Sequence, residues 1–302
     1  MTELQRYLAE EVAEDHADGI ITRREAMRRL GLLGLSGAAA STLLAAGAST
    51  AAAAGGGRGK GRSRHRGSTE WAPVATEAIT FPGPTATLLG AWAPATKPRG
   101  AVLVIHENRG LNDHIRSVAG RLAASGLAAL AIDLLSEEGG TGSFPGEAEV
   151  AAALSQIPPE RFDADMKAGI DELERRLPRA SLAAIGFCFG GGMVWRLLAA
   201  GERRLDAAAP FYGPFPEGGD LGGTKAKVLA VYGGLDDRVN ATRDAAKAAV
   251  EAARLRHEFV TFTEADHAFF NDTGARFNAA AAAEAYRRVL DWFGDSRGRH
   301  DD

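Results

Sequence analysis

Seven residues, Gly186-Phe187-Cys188-Phe189-Gly190-Gly191-Gly192, constrain this chain more tightly than any other stretch. A short apolar run (182–186) precedes them and a helical pattern (190–200) follows, so the segment reads as a sharp strand-to-helix turn. Only glycine fits where strand and helix backbones nearly touch in such a turn, and the residue at its tip is held in a strained conformation. The helix that starts there aims its free N–H groups and positive end at the cysteine, which favours thiolate and oxyanion. A lone cysteine is more often a small buried hydrophobe. The glycine frame reverses that reading, and Cys188 is the candidate nucleophile. It is also the chain's one cysteine, which excludes an intramolecular disulfide and any multi-cysteine metal site. No cofactor and no metal is expected.

The rest of the chain supports a sheet around this turn. Residues 101–106 (AVLVIH), 127–133 (LAALAID), 182–186, 207–212, 228–232 and 258–263 read as buried strands. Helical patterns fall near 113–125, 161–177, 190–200, 243–254 and 277–293. Buried runs alternating with helices predict an α/β fold, a mostly parallel central sheet with helices on both faces. The stretch 75–92 carries a Pro-Gly-Pro break and predicts an antiparallel hairpin on the sheet edge.

The N-terminal region has a different character. Residues 30–54 hold no charged side chain, Thr22-Arg23-Arg24 stands ahead of them, and 51–54 are all alanine. A basic start, an apolar stretch and small residues make up a secretory signal. The arginine pair resembles a twin-arginine export signal, with Ala26 where a bulky apolar residue is usual. A membrane anchor is the rival, weakened by the many glycines and alanines. The expected organisation is therefore an export leader (1–54), a Gly/Arg-rich linker (55–70), one folded domain (71–296) and a charged tail (297–302). Leu4, Tyr7, Leu8 and Val12 suit a short amphipathic helix within the leader. The expected location is periplasmic or extracellular, with the export machinery as partner and the membrane met only in transit. Lys plus Arg number 35 against 39 Asp plus Glu, a net charge of -4, so a specific nucleic-acid partner is not expected.

A nucleophile of this kind needs a base and a group that orients it. Asp236 lies in the loop Gly233-Gly234-Leu235-Asp236-Asp237-Arg238-Val239, at the carboxyl end of a strand, where parallel sheets place their sites. Asp237 is its rival, with a pairing to Arg238 as the alternative. His267 follows the last strand in Glu264-Ala265-Asp266-His267, whereas His257 precedes that strand and His300 sits in the tail. Nucleophile, acid, histidine is the α/β-hydrolase order. The loop His106-Glu107-Asn108-Arg109-Gly110 is no zinc-binding H-E-x-x-H helix, because Gly110 stands at the second histidine position. Backbone N–H groups of Asn108 and Phe189 are the candidate oxyanion hole, and Glu107 would face the thiol as a proton acceptor. The alternative for Glu107 is an ion pair with Arg109 or Arg116.

Together these motifs resemble the dienelactone hydrolase family of the α/β-hydrolase superfamily, over most of 76–293. The resemblance implies that Cys188 of G-x-C-x-G-G is the nucleophile, Asp236 of G-G-x-D-x-x-V the acid and His267 the base. It also implies that Glu107 of H-E-x-x-G hydrogen-bonds the resting thiol and helps to deprotonate it. Hydrolysis of a carboxylic ester or lactone through a thioester follows. One departure concerns substrate: the loop 134–140 is acidic and lacks the arginine that grips a substrate carboxylate in characterised members. Arg109 is the candidate replacement. Phe144, Trp195, Tyr212, Phe269 and Phe270 either wall an apolar pocket, with Tyr212 and Phe269 touching substrate, or belong to the core. A broad short-chain esterase or thioesterase and a non-catalytic exported binding module are the alternative functions.

Overall fold

Val102, Leu103, Val104 and Ile105 are all fully buried, which a strand covered on both faces allows and an amphipathic helix does not. Each such side chain contributes about 1.5–3 kcal/mol relative to exposure. In the computed structural model, which describes residues 1–53 and 72–294, they lie in the middle of an eight-stranded sheet. The expected linker 55–70 and tail 297–302, with His300, lie outside the described residues. The described residues form two compact units, one within Met1–Ser68 with Gly142–Ile157 and the other within Thr69–Thr141 with Pro158–Asp302.

The second unit holds the sheet, with strands β1 (Glu77–Pro82), β2 (Thr87–Ala93), β3 (Gly100–Ile105), β4 (Leu127–Asp133), β5 (Leu182–Phe187), β6 (Leu205–Phe211), β7 (Lys227–Gly233) and β8 (His257–Phe262). Their order is β1-β2-β4-β3-β5-β6-β7-β8. Strands β3 to β8 run parallel, and the β1–β2 hairpin joins antiparallel at one edge, as the Pro-Gly-Pro break predicts. Helices cover both faces, giving the α/β-hydrolase fold. The order doubles back at β3, whose neighbours are β4 and β5, and that reversal opens a crevice beyond the carboxyl ends of β3 and β5. The loop His106–Gly110 and Cys188 leave the sheet at those two ends.

Some boundaries differ from the sequence reading. The strand expected over 207–212 ends at Phe211, because Tyr212 turns out of it at φ 34°. His257 does not precede the last strand but begins it, and so lies at the end opposite to His267. In the first unit, helices α1 (Glu3–Ala17), α2 (Arg23–Leu32) and α3 (Gly37–Ala53) pack on one another. A further helix, α5 (Glu147–Leu154), joins them and has no counterpart in the sequence reading; α4 (Asp113–Ala124) belongs to the sheet unit. Among the described residues no helix is long and apolar enough to cross a membrane.

Helix α6 (Pro159–Arg176) packs against β3 and β4 and buries Asp165, whose Oδ1 has no partner among the described residues. Burial raises the Asp165 pKa from 3.8 to about 6, with Arg161 opposing and Glu137 and Glu138 reinforcing. The folded state therefore holds this proton where the unfolded chain has released it, and this carboxyl makes the fold more stable as pH falls from about 6 towards 4. Asp165→Asn is expected to raise Tm by a few degrees at pH 7 and to remove this carboxyl's gain on acidification, as thermal melts from pH 8 to pH 5 will show.

Candidate active site

Cys188 is the N-cap of helix α7 (Phe189–Ala199) and sits at φ 55° and ψ −119°, a conformation that side chains rarely adopt. The packing around it explains the glycines. A Cβ on Gly186 would lie 2.1 Å from the Gly190 carbonyl oxygen, and one on Gly190 would lie 2.4 Å from that of Ile105. The Cys188 N–H donates to the Phe211 carbonyl at 3.1 Å, which anchors the turn to β6. Two more residues with positive φ, Tyr212 at 34° and Ala268 at 57°, follow β6 and β8. Three of the five non-glycine residues with positive φ among the described residues thus follow the carboxyl ends of strands. The other two, Lys97 and Arg254, stand in turns ahead of β3 and β8.

The candidate residues meet at the carboxyl ends of the strands. The Cys188 sulfur lies within 4.8 Å of a ring nitrogen of His267. His267 Nδ1 is 2.6 Å from Asp236 Oδ2, and both side chains are only 1% exposed. Asp236 caps the short helix α8 (Asp237–Asn240), its Oδ1 accepting from the Val239 N–H at 3.1 Å. This cap selects between the two neighbouring acids: Asp236 faces the histidine, and Asp237 begins the helix. The loops that carry Asp236 and His267 touch directly, since a Cβ on Gly234 would lie 2.5 Å from the Thr263 carbonyl.

The electrostatics follow from this geometry. Burial alone would lower the His267 pKa, but the Asp236 carboxylate and the Cys188 sulfur hold it well above the usual histidine range. Burial pushes Asp236 up, and the His267 charge and hydrogen bond overcome it, so its pKa falls below the ordinary value. Tyr212, fully buried, lies edge-on to His267 with ring centroids 5.3 Å apart. Its own burial, with the charges of Glu107 and Cys188, keeps the phenol protonated far above its ordinary range.

The loop after β3 is held by its own histidine. His106 Nε2 accepts from the Leu134 N–H at 3.2 Å, which leaves Nδ1 to donate to the Glu107 carbonyl at 2.6 Å. Burial lowers the His106 pKa, as this neutral tautomer requires. The His106 ring stacks on Phe189 at 6.0 Å, so the loop adjoins the start of α7. Asn108 lies in a turn closed by the Gly110 N–H to Glu107 carbonyl bond, and Phe189 is the first residue of α7, with its N–H outside the helix ladder.

Glu107 is 3% exposed, and neither Arg109 nor Arg116 is the donor found on its carboxylate. Asn271 Nδ2 donates to Oε2 at 2.7 Å, while Oε1 has no partner among the described residues. Asn271 Oδ1 accepts from Thr273 N–H and Oγ, which fixes the direction of the amide. Sequence reasoning missed Asn271, although an asparagine directly after Phe269-Phe270 is a polar interruption in an apolar run. Asn271→Leu strands a buried carboxylate, and urea denaturation is expected to show a loss of about 2–3 kcal/mol.

The remaining candidates fall into place differently. Tyr212, Phe269 and Phe270 form a buried aromatic cluster with Phe187 and Phe211, and Tyr212 contacts Phe269 at 5.4 Å. Trp195 is fully buried against Phe215, and Phe144 belongs to the other unit. The acidic loop after β4 is neutralised from α6, where Arg161 donates to Glu138 at 2.6 and 2.9 Å. Arg109 is half-buried beside Asn108.

Fold and cluster together define a class: an α/β-hydrolase fold with cysteine, histidine and aspartate gathered at the carboxyl ends of its strands. The chain belongs to the dienelactone hydrolase family, whose model matches residues 88–296, and is thus a hydrolase-family protein. Among curated proteins it resembles the one named "Putative carboxymethylenebutenolidase" of Escherichia coli O157:H7, at 31% identity over 218 residues, covering 67% of this chain and 79% of that protein. The protein of the same name from Methylorubrum extorquens is 32% identical over 213 residues, covering 65% of this chain and 72% of that protein. A solved dienelactone hydrolase-like promiscuous phosphotriesterase from metagenomic libraries superposes with a TM-score of 0.61 at 26% identity, over 72% of this chain and 97% of that one.

Proposed function

We propose that this protein hydrolyses a carboxylic ester or lactone through a thioester on Cys188. The observation that carries this reading is the Cys188 sulfur within 4.8 Å of a His267 nitrogen whose ring is held at 2.6 Å by Asp236. The thiolate attacks the carbonyl carbon, and the Asn108 and Phe189 N–H groups take the charge on oxygen. The C–O bond breaks as His267 gives its proton to the leaving alkoxide. Neutral His267 then takes a proton from water, whose oxygen attacks the thioester, and the carboxylic acid leaves as the thiolate is restored. Asp236 holds the ring in the tautomer that both steps need. Glu107, fixed by Asn271 with one oxygen unpaired, accepts the proton whenever the resting thiol carries one. Arg109, Tyr212 and Phe269 are the proposed contacts of the substrate.

The test is a panel of chromogenic acetate esters and cis- and trans-dienelactone, with intact mass measured on mixing. Turnover with a transient acyl adduct on Cys188 is expected. No turnover of any ester, with Cys188 inert to iodoacetamide, removes the reading. Within it, a broad short-chain esterase or thioesterase would favour acetate esters or thioesters over the lactone. The non-catalytic binding module corresponds to no turnover at all.

Export is part of the proposal. Arg23 and Arg24 are exposed at the start of α2, directly after its N-cap Thr22, where a receptor for paired arginines would reach them. Replacing both with lysine is expected to keep the protein in the cytosol, and cell fractionation checks this.

A further inference from the structure

The segment that reads as a leader is built as a folded structure. Helix α1 opens with a complete capping box between Thr2 and Gln5, and Thr22 caps α2 by accepting from the Glu25 N–H. The turn between them is tied down, with Ile20 and Ile21 N–H groups both donating to the Asp15 carbonyl. Leu8, Ala26 and Leu30 are 0–1% exposed, and Leu33, Ala40 and Leu44 are nearly as buried. An export signal read as an extended peptide has no use for caps or for buried positions.

The departure at Ala26 has a physical cause in this setting. Helix α2 packs on α1, α3 and α5, and a residue 0% exposed among closely packed helices must be small. A bulky apolar residue there would overfill the site.

Helix α5 depends on the N-terminal helices for its burial. It has eight residues and no side-chain cap, a length at which an isolated helix is marginal in water. Yet it buries Ala148, Val150 and Leu154, and α2 is packed against it. Arg28 spans the contact, reaching Glu25 at 2.8 Å and Glu149 of α5 at 2.5 Å. The segment 142–157 lies within the family-matched region, between β4 and α6, but folds with the N-terminal helices.

We propose that residues 1–53 are retained in the mature protein as a helical cradle whose partner is the segment Gly142–Ile157 of the same chain. The inference does not depend on the catalytic reading. It is compatible with export by a route that carries folded chains.

Two measurements on the full chain test it. The intact mass of protein purified from its producing cells is expected to include residues 1–53; an N-terminus near Gly55 overturns the proposal. Ala26→Phe restores the side-chain type usual in export signals, so the two readings diverge. The cradle predicts at least tenfold faster amide exchange at Val150–Leu154 in Ala26→Phe, with Ala26→Ser unchanged. Unchanged exchange in Ala26→Phe overturns it. Should Ala26→Phe fail to fold, Arg28→Glu is expected to speed exchange in α5 a few-fold, and adding Glu149→Arg to restore it. Equal exchange in single and double variants again overturns it.

Discussion

Cys188→Ala is expected to lower kcat/KM for a chromogenic acetate ester by about 10³-fold or more, because the covalent step has no substitute. The fold should be little affected. Alanine at φ 55° carries the same backbone strain as cysteine, and the turn is held by the Cys188 N–H to Phe211 bond, which the substitution leaves in place. His267 loses the sulfur that helps to raise its pKa and is left with Asp236, so its pKa is expected to fall in the variant. NMR titration of the imidazole reads that shift independently of turnover. A variant that keeps a tenth or more of the wild-type rate would show that the thioester route is wrong.

Gly190→Ala is expected to be among the most damaging single methyl groups that can be added to this domain. Its Cβ would lie 2.4 Å from the Ile105 carbonyl oxygen and 2.5 Å from that of His106, and both are backbone atoms at the end of a fully buried strand. Neither can swing aside as a side chain would. Relief requires α7 to move away from β3, which carries Cys188 and Phe189 away from Asn108. A loss of about 3 kcal/mol or more is expected, at the upper end of overpacking effects, with activity lost in whatever fraction still folds. Gly142→Ala is the control, because nothing lies within 4 Å of the place its Cβ would take and stability should stay within about 0.5 kcal/mol. Chemical denaturation of the two variants compares them directly.

What can be read from sequence depends on the range of the interactions involved. Cys188, Asp236 and His267 each stand just after a buried strand, so their convergence follows from strand order in a parallel sheet. The contact between Asn271 and Glu107 joins residues 164 positions apart, and no local pattern marks it. The end of β6 differs by one residue because Tyr212 has every local reason to continue the strand; its N–H still bonds Val231 of β7, and only its positive φ takes it out. Helix α5 is invisible for a related reason. Its sequence, EAEVAAAL, is rich in helix formers, but it is short and its apolar face is weak, so nothing local marks its packing on α2. Helix α1 is legible from the spacing of Leu4, Tyr7, Leu8 and Val12, whereas α2 and α3 are legible only as composition, since small apolar residues suit an export signal and close helix packing equally well.

The backbone at Cys188 also limits the history open to this site. At φ 55° a side chain branched at Cβ is crowded by its own main chain, so threonine cannot stand there without redrawing the turn. Serine and cysteine each have one heavy atom beyond Cβ, so exchanging them asks no change of the glycines or of the histidine. For a nucleophile of the hydroxyl or thiol kind, the turn therefore leaves a choice between oxygen and sulfur, and it fixes where that atom stands before any substrate arrives.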